Sequence, residues 1–273
     1  MTAATASPIV DLEWVEAHLD NEGVQVIEVD VTATPYREGH IPRALLWNIY
    51  ADLRHPDYAP ASPGEFHELI ERSGIGPGTT AVLYGYGAHL GYWLMRSLGH
   101  EHVLLLDGPR ERWPESGRPW STGLPETQPS RYPLHQPDPR IFASFEEMLA
   151  PGVDAVILDV RSRGEYDGVE FWPSGASEEV GRRGHVPGAV HLPIDSLRTP
   201  DGQFRDPVEM SRTLDAAGVT PEKRVITYCT IGNRAAQAWY ALTQVLDHQD
   251  AAVYAGSWAE WGFREDAPIS LEA

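Results

Sequence analysis

Residues 224–242 read RVITYCTIGNRAAQAWYAL and hold the only cysteine of the 273-residue chain, Cys229. The run Arg224–Tyr228 has the short, β-branched and aromatic character of a buried strand. Beyond it, Ala238, Trp239, Leu242, Val245 and Leu246 recur at helical spacing and mark a core-facing stripe. Cys229 therefore falls at the carboxyl end of a strand, before a short turn and a helix. In open α/β sheets ligand sites gather at that edge. A turn that opens a helix points backbone N–H groups inward, a partly positive nest suited to an anion. A cysteine sulfur there is favoured as the thiolate, the nucleophilic form. The same donors can hold a second sulfur bonded to the first. Gly232 gives the turn its backbone freedom. Thr230, Ile231 and Asn233 shape the loop, and Arg234 closes it with a fixed positive charge. The competing reading is a small hydrophobe in a core, the commoner fate of a free cysteine.

The chain repeats itself over a long period. GHIPRALLWNI (39–49) matches GHVPGAVHLPI (184–194), and AVLYG (81–85) parallels VITYC (225–229). LLLDGPRERW (104–113) parallels AVYAGSWAEW (252–261) in the same order. VIEVD (26–30) matches VILDV more loosely, with Asp30 opposite Asp159 once the second half is given an insertion. Two copies of one domain are expected, over 8–122 and 140–273. The stretch 123–139 between them is proline-rich and suits an extended, semi-rigid linker. In the second copy VDAVILDV, GAVHLP, RVITY and AAVYA read as strands. DPVEMSRTLDAAG reads as a helix capped by Asp206, with Pro207 at its first position and Gly218 closing it. Strands alternating with helices predict a parallel sheet covered by helices. The first copy has Gly85 where the second has Cys229, so the fold does not require a cysteine there.

Composition narrows the function. A hydrophobic content of 42% with nine Trp and eleven Tyr suffices for real cores. A formal charge of −19 disfavours nucleic acid and anionic membrane surfaces as partners, and an anionic substrate would need a local basic site. One cysteine excludes an intrachain disulfide and a clustered-thiolate zinc site. The opening MTAATASPIVDLEW has neither a basic region nor a long apolar run, and no stretch of the chain reaches membrane-spanning length. A cytoplasmic protein is the expectation.

The blocks DVRSRGEYDG, GHVPGAVHLP, YCTIGNRAA and GSWAEWG, with decayed counterparts in the first half, resemble the tandem-domain rhodaneses, the thiosulfate sulfurtransferases. The resemblance covers nearly the full length. It implies an α/β fold of two rhodanese-like domains, each a parallel β-sheet flanked by helices, the first catalytically inactive and the second catalytic. The active loop would be Cys229, Thr230, Ile231, Gly232, Asn233 and Arg234, similar to the CRIGER loop of bacterial thiosulfate sulfurtransferases. Phosphatases of similar fold use C-x-x-x-x-x-R, one residue longer, and position 235 here is Ala. Mercaptopyruvate sulfurtransferases usually carry a loop close to CGSGVT.

The mechanism implied is double displacement. The Cys229 thiolate takes the outer sulfur of thiosulfate, sulfite leaves, and a thiophilic acceptor such as cyanide or a cellular thiol removes the sulfur from the Cys229 persulfide. No metal or organic cofactor is required. Arg234 and the residues Thr230 to Asn233 would bind the donor. Asp159 and Arg161 are expected to brace the loop, Arg182 and Arg183 to add positive charge, and Trp258 to edge the pocket. Glu165 stands where some members have a substrate-binding Arg, which leaves more of the anion binding to Arg234. His185 and His191 are expected to be structural, because a pre-ionised thiolate needs no general base. A mercaptopyruvate sulfurtransferase and a carrier that stores persulfide without turnover are the alternatives; a phosphatase is more distant.

Overall fold

The computed structural model describes residues 8–56, 59–106, 108–133, 135–171, 181–200 and 202–271. Apart from residues 58–60, which group with the second part, the chain divides into a compact unit ending at Pro137 and another beginning at Asp138. The first contains strands β1 (Ile9–Val10), β2 (Val24–Asp30), β3 (Leu45–Asn48), β4 (Thr80–Tyr84) and β5 (Val103–Leu106). The second contains β6 (Phe142–Ala143), β7 (Ala155–Asp159), β8 (Val190–His191), β9 (Arg224–Tyr228) and β10 (Ala251–Tyr254). All neighbouring strands pair in parallel. The orders are β1-β5-β4-β2-β3 and β6-β10-β9-β7-β8, one topology used twice. Each unit is an α/β domain with helices against a parallel sheet.

The strands are short apolar runs because a parallel sheet is covered on both faces. In β4, β7 and β9 only the first residue is less than fully buried, and all four residues of β10 are buried. The helix Pro207–Ala216 starts at Asp206, whose carboxylate accepts the Val208 N–H, and Gly218 follows it in a left-handed conformation. Only β6, two residues of unremarkable sequence, has no pattern of its own. It forms by pairing with β10.

The internal match is closer in space than in sequence, and one equivalence shifts. Glu28 lies opposite Tyr84, as Asp159 lies opposite Tyr228. Glu28, not Asp30, is therefore the counterpart of Asp159; the two residue types differ, so the sequence match slipped by two positions. Around these carboxylates the same cluster recurs. The Tyr84 hydroxyl bonds Glu28 and accepts the Ile41 N–H at 3.1 Å. The Tyr228 hydroxyl bonds Asp159 and accepts the Val186 N–H at 3.2 Å. Arg110 pairs with Glu28 and lies over Trp120; Arg161 pairs with Asp159 and lies over Trp258. A second matched pair sits nearby. His40 stacks on Tyr36 at 3.9 Å and His185 on Tyr166 at 3.7 Å. The extra residues of the second unit therefore lie between Tyr166 and His185.

The proline-rich stretch, expected as an extended, semi-rigid linker, is held against the first unit. The His40 ring meets the Gly123 carbonyl at 3.1 Å. Ser130 donates from its N–H to the Glu71 carbonyl and from its hydroxyl to the Ile75 carbonyl, and the Tyr132 N–H meets the Glu71 carboxylate at 2.9 Å. Prolines remove donors, but Ser130 and Tyr132 between them supply enough to pin the segment.

Asp159 and Arg161 are both fully buried. Removing one member of such a pair leaves an uncompensated charge, so Asp159→Ala should lower unfolding stability by about 3–5 kcal/mol in urea titrations. Tyr228→Phe keeps the ion pair and should cost about 1–3 kcal/mol, the value of one buried hydrogen-bonding partner.

Candidate functional site

The central strand of the second sheet, β9, ends at Tyr228, and the helix Asn233–Tyr240 begins after a gap of four residues. Cys229, Thr230, Ile231 and Gly232 span that gap. Cys229 is 1% exposed. The Gly232 N–H points at its sulfur, 3.1 Å away. Gly232 has φ 88°, a conformation with little steric cost only for glycine, and this places its N–H where it can reach Sγ.

The turn after β10 holds the loop from behind. The N–H groups of Trp258 and Ala259 donate to the carbonyls of Cys229 and Thr230, both at 2.9 Å. In planar trans peptides the N–H opposes the C=O, so the N–H groups of Thr230 and Ile231 point away from the helix Ser257–Trp261. The Cys229 N–H donates to the Ser257 hydroxyl at 3.2 Å, which donates in turn to the Tyr254 carbonyl at 3.0 Å. Ser257 is fully buried and has φ 51°, a left-handed conformation uncommon for serine. These hydrogen bonds hold it there.

Arg234 closes the loop, but its charge is already paired. Nη1 and Nη2 bond the two oxygens of Glu165 at 2.7 and 2.8 Å, and Nη2 also bonds the Thr230 hydroxyl. That hydroxyl donates to Glu165 at 2.6 Å. Glu165 is fully buried and belongs to the capping box of the helix Arg163–Tyr166 with Ser162. Burial alone would push its carboxyl upward. Arg234, Thr230 and the Ser162 N–H outweigh that and hold it down to about 2 from its ordinary 4.5.

The remaining expected residues fall in two places. Asp159 and Arg161 stand at the end of β7 beside β9, and Arg161 also reaches the Gly184 carbonyl at 2.8 Å. Trp258 is fully buried with Arg161 over its ring at 4.3 Å, so it backs this brace rather than edging an open pocket. Arg182 turns to the carbonyls of Trp261, Arg264 and Ala267, and Arg183 donates to the Val169 carbonyl at 2.9 Å. The structure does not gather these two arginines with the Cys229 loop. The rings of His185 and His191 are taken up by Tyr166 and by the Arg161 carbonyl. Sequence reasoning missed the Ser257 link and the Glu165–Arg234 pair. The Ser162–Glu165 capping signature was readable, but nothing local ties it to a residue 69 positions later.

In the first unit the equivalent turn is Gly85–Gly87, one residue shorter, before the helix Ala88–Ser97. Gly85 has φ 90°, and a Cβ there would lie 3.0 Å from the Val29 carbonyl oxygen. Among the described residues no group of side chains could hold a metal ion, and no helix is long and apolar enough to cross a membrane.

The rhodanese-like domain family model matches residues 11–116 and 143–263. The chain belongs to the rhodanese family. It is 34% identical to the sulfur carrier protein TtuD of Thermus thermophilus, over 96% of each chain. It is 33% identical to a Mycolicibacterium smegmatis protein named "Putative thiosulfate sulfurtransferase", over 98% of this chain and 99% of that one. The fold is also that of wild-type EanB, with a TM-score of 0.86 at 24% identity over 97% of this chain and 69% of that one. The chain is thus a sulfurtransferase of the rhodanese type, with two tandem domains.

Two tests follow from this rhodanese loop. Glu165 contributes stability that is complete above its ordinary value and is lost as pH falls from about 4.5 toward 2. The acid limb of the wild-type stability curve should therefore be steeper than that of Glu165→Gln, by up to roughly 3 kcal/mol, with the difference vanishing near pH 2. In the first unit, Gly85→Cys should cost about 1–3 kcal/mol through its left-handed backbone. It should add no fast-reacting thiol when Cys229 is replaced by Ala, as thiol titration would show.

Proposed function

We propose that this rhodanese moves the outer sulfur of thiosulfate to a thiophilic acceptor through a persulfide on Cys229. The observation that supports this most directly is the Gly232 N–H on the Cys229 sulfur at the carboxyl end of the central strand. A backbone N–H aimed at the sulfur offers a partial positive charge to an anion there. The thiolate forms a bond to the outer sulfur of thiosulfate while the S–S bond to the sulfonate breaks. Sulfite leaves with that electron pair, and Cys229 carries a persulfide anion. In the second half, cyanide attacks the terminal sulfur, thiocyanate leaves, and the Cys229 thiolate returns. A cellular thiol can take the place of cyanide. The loop N–H groups hold the extra sulfur, so the reaction calls on neither a metal nor an organic cofactor.

The residues have distinct parts in this reading. Cys229 is the nucleophile. Thr230, Ile231, Gly232 and Asn233 form the anion seat, and Arg234 ends the loop as the partner of Glu165. Asp159, Arg161 and Trp258 keep the seat in place without touching the donor. The first unit, with Gly85 and a shorter turn, is catalytically silent. A second reading, that Cys229 stores sulfur for delivery to another protein, is favoured by the likeness to a protein named as a sulfur carrier.

Intact-mass measurement tests both. Thiosulfate should add the mass of one sulfur atom to the wild type, cyanide should remove it, and Cys229→Ala should show neither change. Wild type that gains no sulfur from thiosulfate overturns the proposed donor. Gain of sulfur with no steady formation of thiocyanate selects the carrier reading.

A further inference from the structure

Arg234 is the only basic side chain of the Cys229 loop. Both of its terminal nitrogens are on one carboxylate, in the parallel two-bond geometry that fixes an Arg–carboxylate pair most firmly. The carboxylate is Glu165, fully buried, and the arginine side chain is largely buried beside it. Thr230, the residue next to the cysteine, bridges the two: its hydroxyl bonds Glu165 and Arg234 alike. Glu165 is anchored from its other side by the Ser162 N–H at 3.0 Å. The carboxylate is thus held by its own helix and the guanidinium by the catalytic loop. A pair fixed this way carries no net charge, and its field on a nearby anion is that of a dipole rather than of a cation.

We propose that Glu165 is a specificity-determining residue that withholds the charge of Arg234 from the sulfur donor, so that the site discriminates against dianions and favours sulfane sulfur carried on a monoanionic or neutral organic group. The proposal rests on Cys229 being the sulfur acceptor. An organic thiosulfonate meets the requirement. The Cys229 thiolate takes its outer sulfur, the S–S bond breaks, and the sulfinate leaves with the electron pair, with total charge unchanged. Thiosulfate remains a donor, at a KM raised by the missing cation. The buried carboxylate stays ionised at every working pH, because Arg234 and its other partners hold it far below the ordinary range. The neutralisation is therefore permanent rather than switched.

Glu165→Gln separates the pair electrically while keeping shape and the contact with Thr230, and should leave Arg234 as a net cation. Alkylation of Cys229 reads the local charge without any sulfur chemistry, with iodoacetate as the anionic probe and iodoacetamide as the neutral one. The iodoacetate-to-iodoacetamide rate ratio should rise by about tenfold in Glu165→Gln, the effect of one unscreened charge at close range. The KM for thiosulfate should fall more than the KM for benzenethiosulfonate, since the dianion gains twice as much from the same charge. The double variant Glu165→Gln/Arg234→Gln again has no net charge and should return both ratios to the wild-type values. If Glu165→Gln fails to fold, the double variant against wild type still decides: an unchanged KM for thiosulfate supports the proposal, and a raised one would show that Arg234 holds the donor despite Glu165. Labelling of Cys229 with unchanged ratios overturns the role of Glu165 alone. A wild type in which Cys229 accepts neither sulfur nor alkyl group overturns the sulfurtransferase reading and this inference with it.

Discussion

The arrangement at the carboxyl edge of the second sheet depends on one buried contact, the Tyr228 hydroxyl held between the Asp159 carboxylate and the Val186 N–H. Burial and the neighbouring carboxylate push the Tyr228 phenol far upward, so it stays protonated and donates to Asp159. Asp159 then has one oxygen shared between Tyr228 and Arg161, and Arg161 extends the network to the Gly184 carbonyl and the Trp258 ring. Trp258 is also the residue whose N–H donates to the Cys229 carbonyl. Strand end, loop and following turn are thereby fixed by one chain of contacts, with the residue before the cysteine as its first link. A buried ion pair is not in itself a strong source of stability. Its use here is geometric, because the charges have one arrangement that satisfies them.

The first unit shows what that network is for. It keeps the tyrosine, the carboxylate, the arginine and the tryptophan, yet takes its arginine from position 110 rather than from the turn after the acidic strand. The brace therefore belongs to the fold and not to the chemistry. What differs is the turn beyond the tyrosine. With three residues instead of four, the backbone must reverse at Gly85, and the Gly87 N–H is drawn to the Val29 carbonyl at 2.7 Å. One residue of length separates a turn that bonds its own sheet from one that points an N–H at a side-chain sulfur.

Most of the fold was legible because its signals are local or repeated. Four of the five strands of the second sheet are short apolar runs, and the helix from Pro207 announces itself through Asp206, Pro207 and Gly218. The repeat then supplied the topology, since two matching halves must solve the same packing problem. Its one slip, Asp30 for Glu28, came from matching residue type where space matches the position opposite a tyrosine. The cysteine, its glycine and the turn were readable for the same local reasons. The environment of Arg234 was not. A long charged side chain can turn to any partner within several ångströms, and the choice of Glu165 is made by the tertiary approach of the helix Arg163–Tyr166. The same holds for Arg182 and Arg183: proximity in sequence to a conspicuous turn says nothing about where a guanidinium points.

Charge gives the remaining step. The chain carries a formal charge of −19, a field that opposes the approach of any anion. A site built for small dianions against that field would keep a guanidinium unpaired at the loop, yet Arg234 is matched to a carboxylate from which water is excluded. The Cys229 sulfur is instead met by a backbone dipole, the Gly232 N–H, which carries no formal charge and needs no counter-ion. Backbone donors act only at contact distance, whereas a free cation would attract every anion in reach. In the proposed reaction the loop therefore acts on charge at the sulfur itself and offers little attraction to the rest of the donor. Under that proposal selectivity comes from the shape and leaving group of the sulfur donor more than from its charge.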